Sequence, residues 1–565
     1  MFKKKFKLPF SKKQSPGGSD KEQEDSKEKK DNKSTKQSSI EGEIERHDGK
    51  VKKETKNSSN KESSIESEKE QKVSKGNMIS SSRNVFIQAI KDATQNPADL
   101  IVKFIHPNLT LIYIDNLVDG ITLTDHIIPN LFKKTNESPE NIKSLLSVPQ
   151  VKLTDHLTET VSALVEGTVL IHVEGYTQVV LANISTRESR ALHAPENESQ
   201  VIGSQVGFNE SLSTNISLIR RYIMNPDLCN EKFKIGKQTN TTVSVLYIKG
   251  IASETMVNTL RQRITDVHVD SLLDSSVLVQ MIDDNSLSPF PQMLLTERPD
   301  RFCDGLLNGK LGIIVDGSSM GILCPQSFIE FFQSREDQNL RWPIASFFRL
   351  LRLSAIFLSI YLTPIYVAAL TFHYEVIPQT LLIPLSESRA LVPFPPIIEA
   401  LFLEIIIELL REAGARLPTK VGQTIGIVGG IVIGTAAVQA GITSNILIII
   451  VALSALASFT TPNYMMGNVI RVIRFPLIIL AGFWGFYGIM LGFCFLLIHL
   501  LRQSSLGSPY TAPFYPPRLI DWRDSIIRLP LPFTFNRPKS KRPKDRKKYD
   551  PEPINPEKKV ELRVK

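Results

Sequence analysis

Residues 476–501 read Pro476-Leu-Ile-Ile-Leu-Ala-Gly-Phe-Trp-Gly-Phe-Tyr-Gly-Ile-Met-Leu-Gly-Phe-Cys-Phe-Leu-Leu-Ile-His-Leu-Leu501, with no Asp, Glu, Lys or Arg among them. A run of that length and character matches the apolar thickness of a bilayer. Four shorter apolar runs precede it, at 353–372, 395–413, 421–440 and 442–459. One such run could be the buried helix of a soluble core. Five between residues 343 and 503 predict an all-α polytopic membrane domain. Basic residues flank the runs: Arg349 and Arg352 before the first, Arg411, Arg416 and Lys420 after the second, Arg471 and Arg474 before the last, Arg502 behind it. Basic loops favour the cytoplasm. Five passes starting inside would put the C-terminus outside, whereas an even number would keep it inside. A split or re-entrant run, or a dip by the Pro-broken stretch 376–392, would restore the parity.

Outward from the apolar runs, the upstream chain changes character. Residues 81–204 and 205–342 read as two small soluble α/β subdomains. In the first, Val85–Ile105 has helical spacing, Leu109–Ile114 is strand-like, and Thr168–Val173 and Thr177–Ala182 form a hairpin through Glu174-Gly175. In the second, Asn209–Met224 is a helix stopped by Asn225-Pro226, Thr242–Ile248 a strand, and Ser253–Arg263 a helix with Ser253 as its cap. Leu311–Val315 and Gly321–Cys324 are strands around the Asp316-Gly317 turn.

The two ends differ again. Residues 1–80 carry 21 basic and 15 acidic residues, and 536–565 carry 12 and 5. The segment between them holds 34 basic and 38 acidic residues, so the whole formal charge of +9 resides in the ends. Residues 1–80, rich in Lys, Glu and Ser, are expected to be disordered, and 504–565 to be a disordered, basic, Pro-rich cytoplasmic tail. No apolar leader follows Met1, which predicts a cytoplasmic N-terminus. Net positive charge confined to the tails argues against a folded nucleic-acid-binding domain. The cluster Arg537–Lys548 would instead attract anionic lipid, by about 1 kcal/mol per basic residue near the surface.

Cys229, Cys303, Cys324 and Cys494 have neither a CxxC pairing nor zinc spacing, so no metal site or disulfide framework is expected. No phosphate loop, dinucleotide fingerprint, zincin helix or nucleophile elbow occurs, which predicts a non-enzyme without cofactor. The nearest approach to a phosphate loop, Gly305-Leu-Leu-Asn-Gly309-Lys310, has the wrong spacing.

Three patterns remain as candidate sites. Pro395-Pro396 opens a helix that carries Glu399, Glu404, Glu408 and Glu412 into an apolar run. At 100° per residue Glu404, Glu408, Arg411 and Glu412 share a face and Glu399 lies off it. Charges at bilayer depth face water or a partner. The four glutamates are therefore candidate pore-lining residues, stacked as acidic rings if the subunit assembles into a ring. The competing reading is a helix-end network with Glu408–Arg411 and Glu412–Arg416 pairs. Gly422, Gly426, Gly430 and Gly434 recur every fourth residue, the spacing of close helix packing or an oligomer interface. Gln423, Thr424 and Gln439 on the same helix could instead face a pore. Glu297, Arg298 and Asp300, around Pro299, form a charged rigid loop, a candidate soluble-domain contact or hinge.

The chain resembles the A-subunit family of bacterial spore germinant receptors, the GerA family. The resemblance rests on Gly207-Phe-Asn-Glu-Ser-Leu-Ser-Thr-Asn-Ile-Ser-Leu-Ile-Arg-Arg221, Leu287-Ser-Pro-Phe-Pro-Gln292, Thr296-Glu-Arg-Pro-Asp300, Val315-Asp-Gly317, Phe331-Phe-Gln-Ser334 and Arg411-Glu-Ala-Gly-Ala-Arg-Leu-Pro418. It covers about residues 81–540. At Ser204-Gln-Val206 the chain departs from the Pro-Arg-Glu usual in the family. The resemblance implies a subunit of a receptor in the spore inner membrane, with its soluble domain cytoplasmic. Its partners would be a transporter-like, nutrient-binding B subunit and a C-subunit lipoprotein. It further implies self-association into a nutrient-gated cation channel, with a non-conducting scaffold or a small-solute transporter as the alternatives.

Overall fold

In the computed structural model the described residues are 78–548, apart from 133–137, 186–193, 417–429, 431, 433, 519–520, 531–532 and 535. The first subdomain runs α1 (Arg83–Ala93), β1 (Leu100–His106), β2 (Leu109–Ile114), helical turns over 120–132, α2 (Pro139–Leu145), β3 (Val151–Thr154), α3 (Leu157–Val165), β4 (Thr168–Val173) and β5 (Val179–Asn183). Its strands pair antiparallel in the order β1-β2-β4-β5-β3. The helix expected through Ile105 ends at Ala93. Gln95 and Asn96 take left-handed φ of 61° and 46° before Pro97, and Pro disfavours helix in the residue before it. The β-branched run behind it becomes β1, in register from Leu100 opposite Ile114.

The second subdomain repeats this plan. It runs α4 (Leu212–Tyr222), β6 (Leu228–Ile235), β7 (Thr241–Ile248), α5 (Glu254–Thr265), α6 (Ser275–Ile282), β8 (Leu294–Thr296), α7 (Pro299–Leu307), β9 (Leu311–Val315) and β10 (Gly321–Cys324). The strand order β6-β7-β9-β10-β8 has the same connectivity as the first sheet. Ser253 precedes α5 as expected, but its hydroxyl bonds Thr255 Oγ1 instead of capping a backbone amide. The two units are joined by a buried ion pair: Arg220 of α4 donates to Asp99 at 2.6 and 2.8 Å, with both side chains sealed from solvent.

One face of the second sheet packs under α5 and α6. The other face builds a core with α4, α7 and Phe331 that continues into Ile356, Met466, Ile470 and Tyr510. The soluble part and the apolar bundle therefore share one hydrophobic core.

The bundle consists of α8 (Trp342–Thr371), α9 (Gln379–Arg389), α10 (Pro396–Arg416), α11 (Asn445–Ser458) and α12 (Tyr464–Arg502). Helices α8 and α12 are long and apolar enough to cross a membrane. Their outer surfaces are apolar, with Phe357, Phe483, Trp484, Met490 and Phe495 all more than half exposed.

The long run 476–501 is not one straight pass. Gly485 sits at φ 58°, ψ −138°, which breaks α12 into two legs. A Cβ placed on Gly492 would lie 2.4 Å from Leu477, and one on Gly488 would lie 2.0 Å from the Leu480 carbonyl. Fifteen residues of straight helix span about 22 Å, so such contacts require the legs to fold back on each other. Met466 and Ile470 at the start of the first leg, and Leu496 and Leu500 at the end of the second, meet the same core.

This hairpin gives the described bundle helices two reference ends, the soluble core and the hairpin tip. Helix α8 leaves the soluble core and ends beside the hairpin tip, where His373 meets Gly485. Helix α10 starts at that far end, where Ile397 abuts Gly482, and returns so that Arg411 reaches Ser458. Helix α11 also starts at that far end, since Gly441 touches Leu391 and Ser444 meets Glu399. Helix α11 runs from there toward the soluble core, and the two legs of α12 run out to the tip and back. The C-terminus thus returns to the soluble domain.

Residues past the bundle then pack onto that domain. Tyr510 is fully buried and its hydroxyl donates to the Pro291 carbonyl at 2.7 Å. Part of the C-terminal stretch expected to be a disordered tail is folded as far as Lys548. Lys541 pairs with Glu330 at 3.0 Å, and Lys544 with Glu254 at 3.0 Å.

Candidate functional site in the helical bundle

Helix α10 begins with Pro396 in its first turn, where a missing N–H costs nothing. Its glutamates fall into two settings. Glu404 is buried between α8 and the first leg of α12. Arg474 Nη1 donates to its Oε2 at 2.5 Å, and Thr363 Oγ1 to its Oε1 at 2.9 Å. Arg474 Nη2 also reaches Ser359 Oγ at 3.2 Å, while its Nε has no partner among the described residues. Glu399 is also buried, but toward the start of α11. Its Oε1 accepts from Ser444 N at 2.6 Å and Thr443 Oγ1 at 3.1 Å, and Arg389 Nη2 lies 3.6 Å from Oε2. A carboxylate there answers the positive end of the α11 dipole.

Glu408 and Glu412 lie nearer the soluble end and are partly open. Glu408 faces Arg471 at 3.5 Å and Arg411 at 3.7 Å. Glu412 pairs with Arg416 at 2.5 Å on the helix surface. Arg411 stacks 4.4 Å above the Phe459 ring. The outward stripe of α10 is apolar: Ile398, Phe402, Ile405 and Leu409. Within one chain, then, the deeper two candidate pore residues face neighbouring helices, and the face left uncovered is hydrocarbon. The ion pairs Glu408–Arg411 and Glu412–Arg416 of the competing reading form, while Glu404, read as a pore candidate, pairs with Arg474 of another helix.

Of the glycine ladder, Gly422 and Gly426 lie outside the described residues. At Gly430 and Gly434 an added Cβ would meet nothing within 4 Å. The close-packing glycines that the structure does show, Gly482, Gly485, Gly488 and Gly492, were overlooked in the sequence. Their three- to four-residue spacing was the available signal.

The charged loop of the second subdomain holds the linker from the first. Arg298, fully buried, donates to Asp300 at 3.1 and 3.0 Å, to the Glu198 carbonyl at 3.2 Å and to the Ser204 carbonyl at 2.8 Å. Glu297 accepts from the Asn197 amide at 3.2 Å. Arg301 pairs with Glu198 at 2.6 Å. Among the described residues no group of three His, Cys, Asp or Glu side chains is placed to hold a metal ion.

Residues 88–540 match the family described as Bacillus/Clostridium GerA spore germination protein. The chain belongs to the GerA spore germination protein family. Among its GerA relatives, spore germination protein GerQA of Bacillus cereus is 47% identical over 79% of this chain and 90% of its own length. The uncharacterized membrane protein YfkQ of Bacillus subtilis is 37% identical over 74% of this chain and 83% of its own. The solved N-terminal domain of the A subunit of the Bacillus megaterium germinant receptor GerK3 is 28% identical, covering 44% of this chain and 97% of that one, with a TM-score of 0.35. The GerA match takes in both sheets, the whole helical bundle and most of the C-terminal stretch packed on them.

Proposed function

We propose that this GerA protein is the A subunit of a spore germinant receptor in the spore inner membrane. It works there with a transporter-like B subunit that binds the nutrient and a lipoprotein C subunit. Copies of the chain associate into a ring that conducts cations once nutrient binding shifts a closed-to-open equilibrium. The role has no catalytic step. The observation that carries the reading is family membership joined to α10, which takes four glutamates through an apolar bundle. Charge at that depth is costly unless it has a use. On this reading the soluble domain and the C-terminus lie on the cytoplasmic side, because the second leg of α12 ends at the core from which α8 departs.

A second reading is favoured by a specific observation. Glu399 and Glu404 are satisfied inside one chain, and the open stripe of α10 is apolar. That suits a scaffold which transmits the signal without conducting. The two readings part in a planar bilayer holding the purified chain, with and without its receptor partners and nutrient. Cation-selective single-channel currents are expected. No current under any nutrient would leave the scaffold reading standing and remove the channel.

A further inference from the structure

The C-terminal stretch, the start of α8 and the second subdomain enclose a cavity of about 210 Å³. Eight of its lining side chains are Lys or Arg and four are Asp or Glu. The four carboxylates are already engaged. Glu330 sits between two ammonium groups, Lys310 at 2.7 Å and Lys541 at 3.0 Å. Asp304 holds Arg335 at 3.1 Å, and Asp524 holds Arg349 at 3.1 Å. Asp521 accepts the backbone amides of Lys539 and Ser540 at 3.0 and 2.9 Å.

Cations are left over. One Glu330 faces two lysines. Arg528 spends its guanidinium on the carbonyls of Asp337 and Leu340. Lys548 makes no ion pair among the described residues. Burial pushes the Lys310 ammonium down to about 8 even beside Glu330. Lys310 is also the residue that closes the Gly305–Gly309 stretch noted in the sequence. That stretch is no phosphate loop, since residues through Leu307 are helical, yet its lysine ends in the cavity.

We propose that this cavity binds a phosphate-type oxyanion through Lys310, Lys541 and Lys548. Phosphate oxygens accept several charge-assisted hydrogen bonds at once, which a pair of lysines sharing one carboxylate can supply. Two sources offer that group: a soluble phosphate compound, or the headgroup of an anionic lipid reached beside Arg349 at the start of the first bundle helix. The inference does not depend on ion conduction.

The test is isothermal titration calorimetry on the full chain in uncharged detergent, with inorganic pyrophosphate against sodium chloride at matched ionic strength. A parallel arm compares nanodiscs of phosphatidylglycerol with nanodiscs of phosphatidylcholine, read by the melting temperature of the chain. Saturable one-to-one pyrophosphate binding is expected if the source is soluble, and a melting-temperature rise only in phosphatidylglycerol if it is the headgroup. Whichever signal appears should weaken about tenfold, or vanish, in Lys548→Ala and return in Lys548→Arg. Lys548 is exposed, so Lys548→Ala spares the buried Lys310–Glu330–Lys541 cluster that Lys541→Met would break. No signal in either arm, or an undiminished signal in Lys548→Ala, overturns the proposal.

Discussion

A carboxylate inside an apolar bundle needs a cation or water, and Glu404 has the cation. Removing one partner of a buried ion pair leaves a bare charge and costs about 3–5 kcal/mol, whereas replacing both by apolar residues can be neutral. Glu404→Ala is therefore expected to lower the melting temperature sharply, and Glu404→Leu with Arg474→Met to recover most of the loss. A double-mutant cycle of thermal melts in detergent checks this, and additive losses would contradict it. At the soluble junction Asp284 is held by Arg263 at 2.5 Å and by the amides of Leu506 and Gly507 at 2.9 and 3.0 Å. Its neighbour Asp283 has a buried oxygen with no hydrogen-bond partner among the described residues. Burial, then the Asp284 charge, push the Asp283 carboxyl up to about 7. A raised carboxyl means the folded state binds the proton more tightly than the unfolded chain. Its stabilisation is complete below the unfolded value of 3.8 and is lost as pH climbs through about 7. Asp283→Asn should flatten that slope and raise stability at pH 8 by on the order of 1–2 kcal/mol. Parallel pH–melting curves for the two proteins would count against it. The Glu404–Arg474 contact was illegible in the sequence, because 70 residues separate the partners and nothing local links them.

Among the elements, the hairpin at Gly485 has the largest consequence. Its backbone lies where only Gly is comfortable, and a Cβ would sit 2.7 Å from the His373 ring. Gly485→Ala should cost about 1–3 kcal/mol from backbone strain alone, seen as a lower melting temperature. A wild-type melt would mean that the two legs do not turn there. Hydropathy could not find this turn, since an apolar residue is equally welcome in a straight span or a hairpin. Strands followed a similar logic. Runs with a strong turn beside them, such as Leu311–Val315 and Gly321–Cys324, were legible. Leu100–His106, β3, β6 and β8 became strands because a sheet edge was waiting for them.

For the whole molecule, the second leg of α12 returns the C-terminus to the soluble domain, where it becomes part of the core. Tyr510 fills the pocket under Phe328 and Phe331. Tyr510→Ala should cost about 3–5 kcal/mol, and ending the chain at Arg502 should unsettle the second subdomain as well as the bundle. Sided thiol labelling checks the topology: cysteines at Tyr176 and Arg546 should react from the same side, and one at Tyr487 from the other. Labelling of Tyr176 and Arg546 from opposite sides would contradict that return. The sequence by itself determined the division into soluble α/β and apolar helical parts, the family, and which helix carries the glutamates. These follow from composition, period and contiguous motifs, which are local properties. Only the tertiary structure decided that the two sheets share one plan, that the longest apolar run doubles back, that Glu404 belongs to Arg474, and that the basic end is folded. Each of those depends on which distant groups meet. A chain position carries its own polarity and shape preference, but not the identity of the side chain that will stand opposite it.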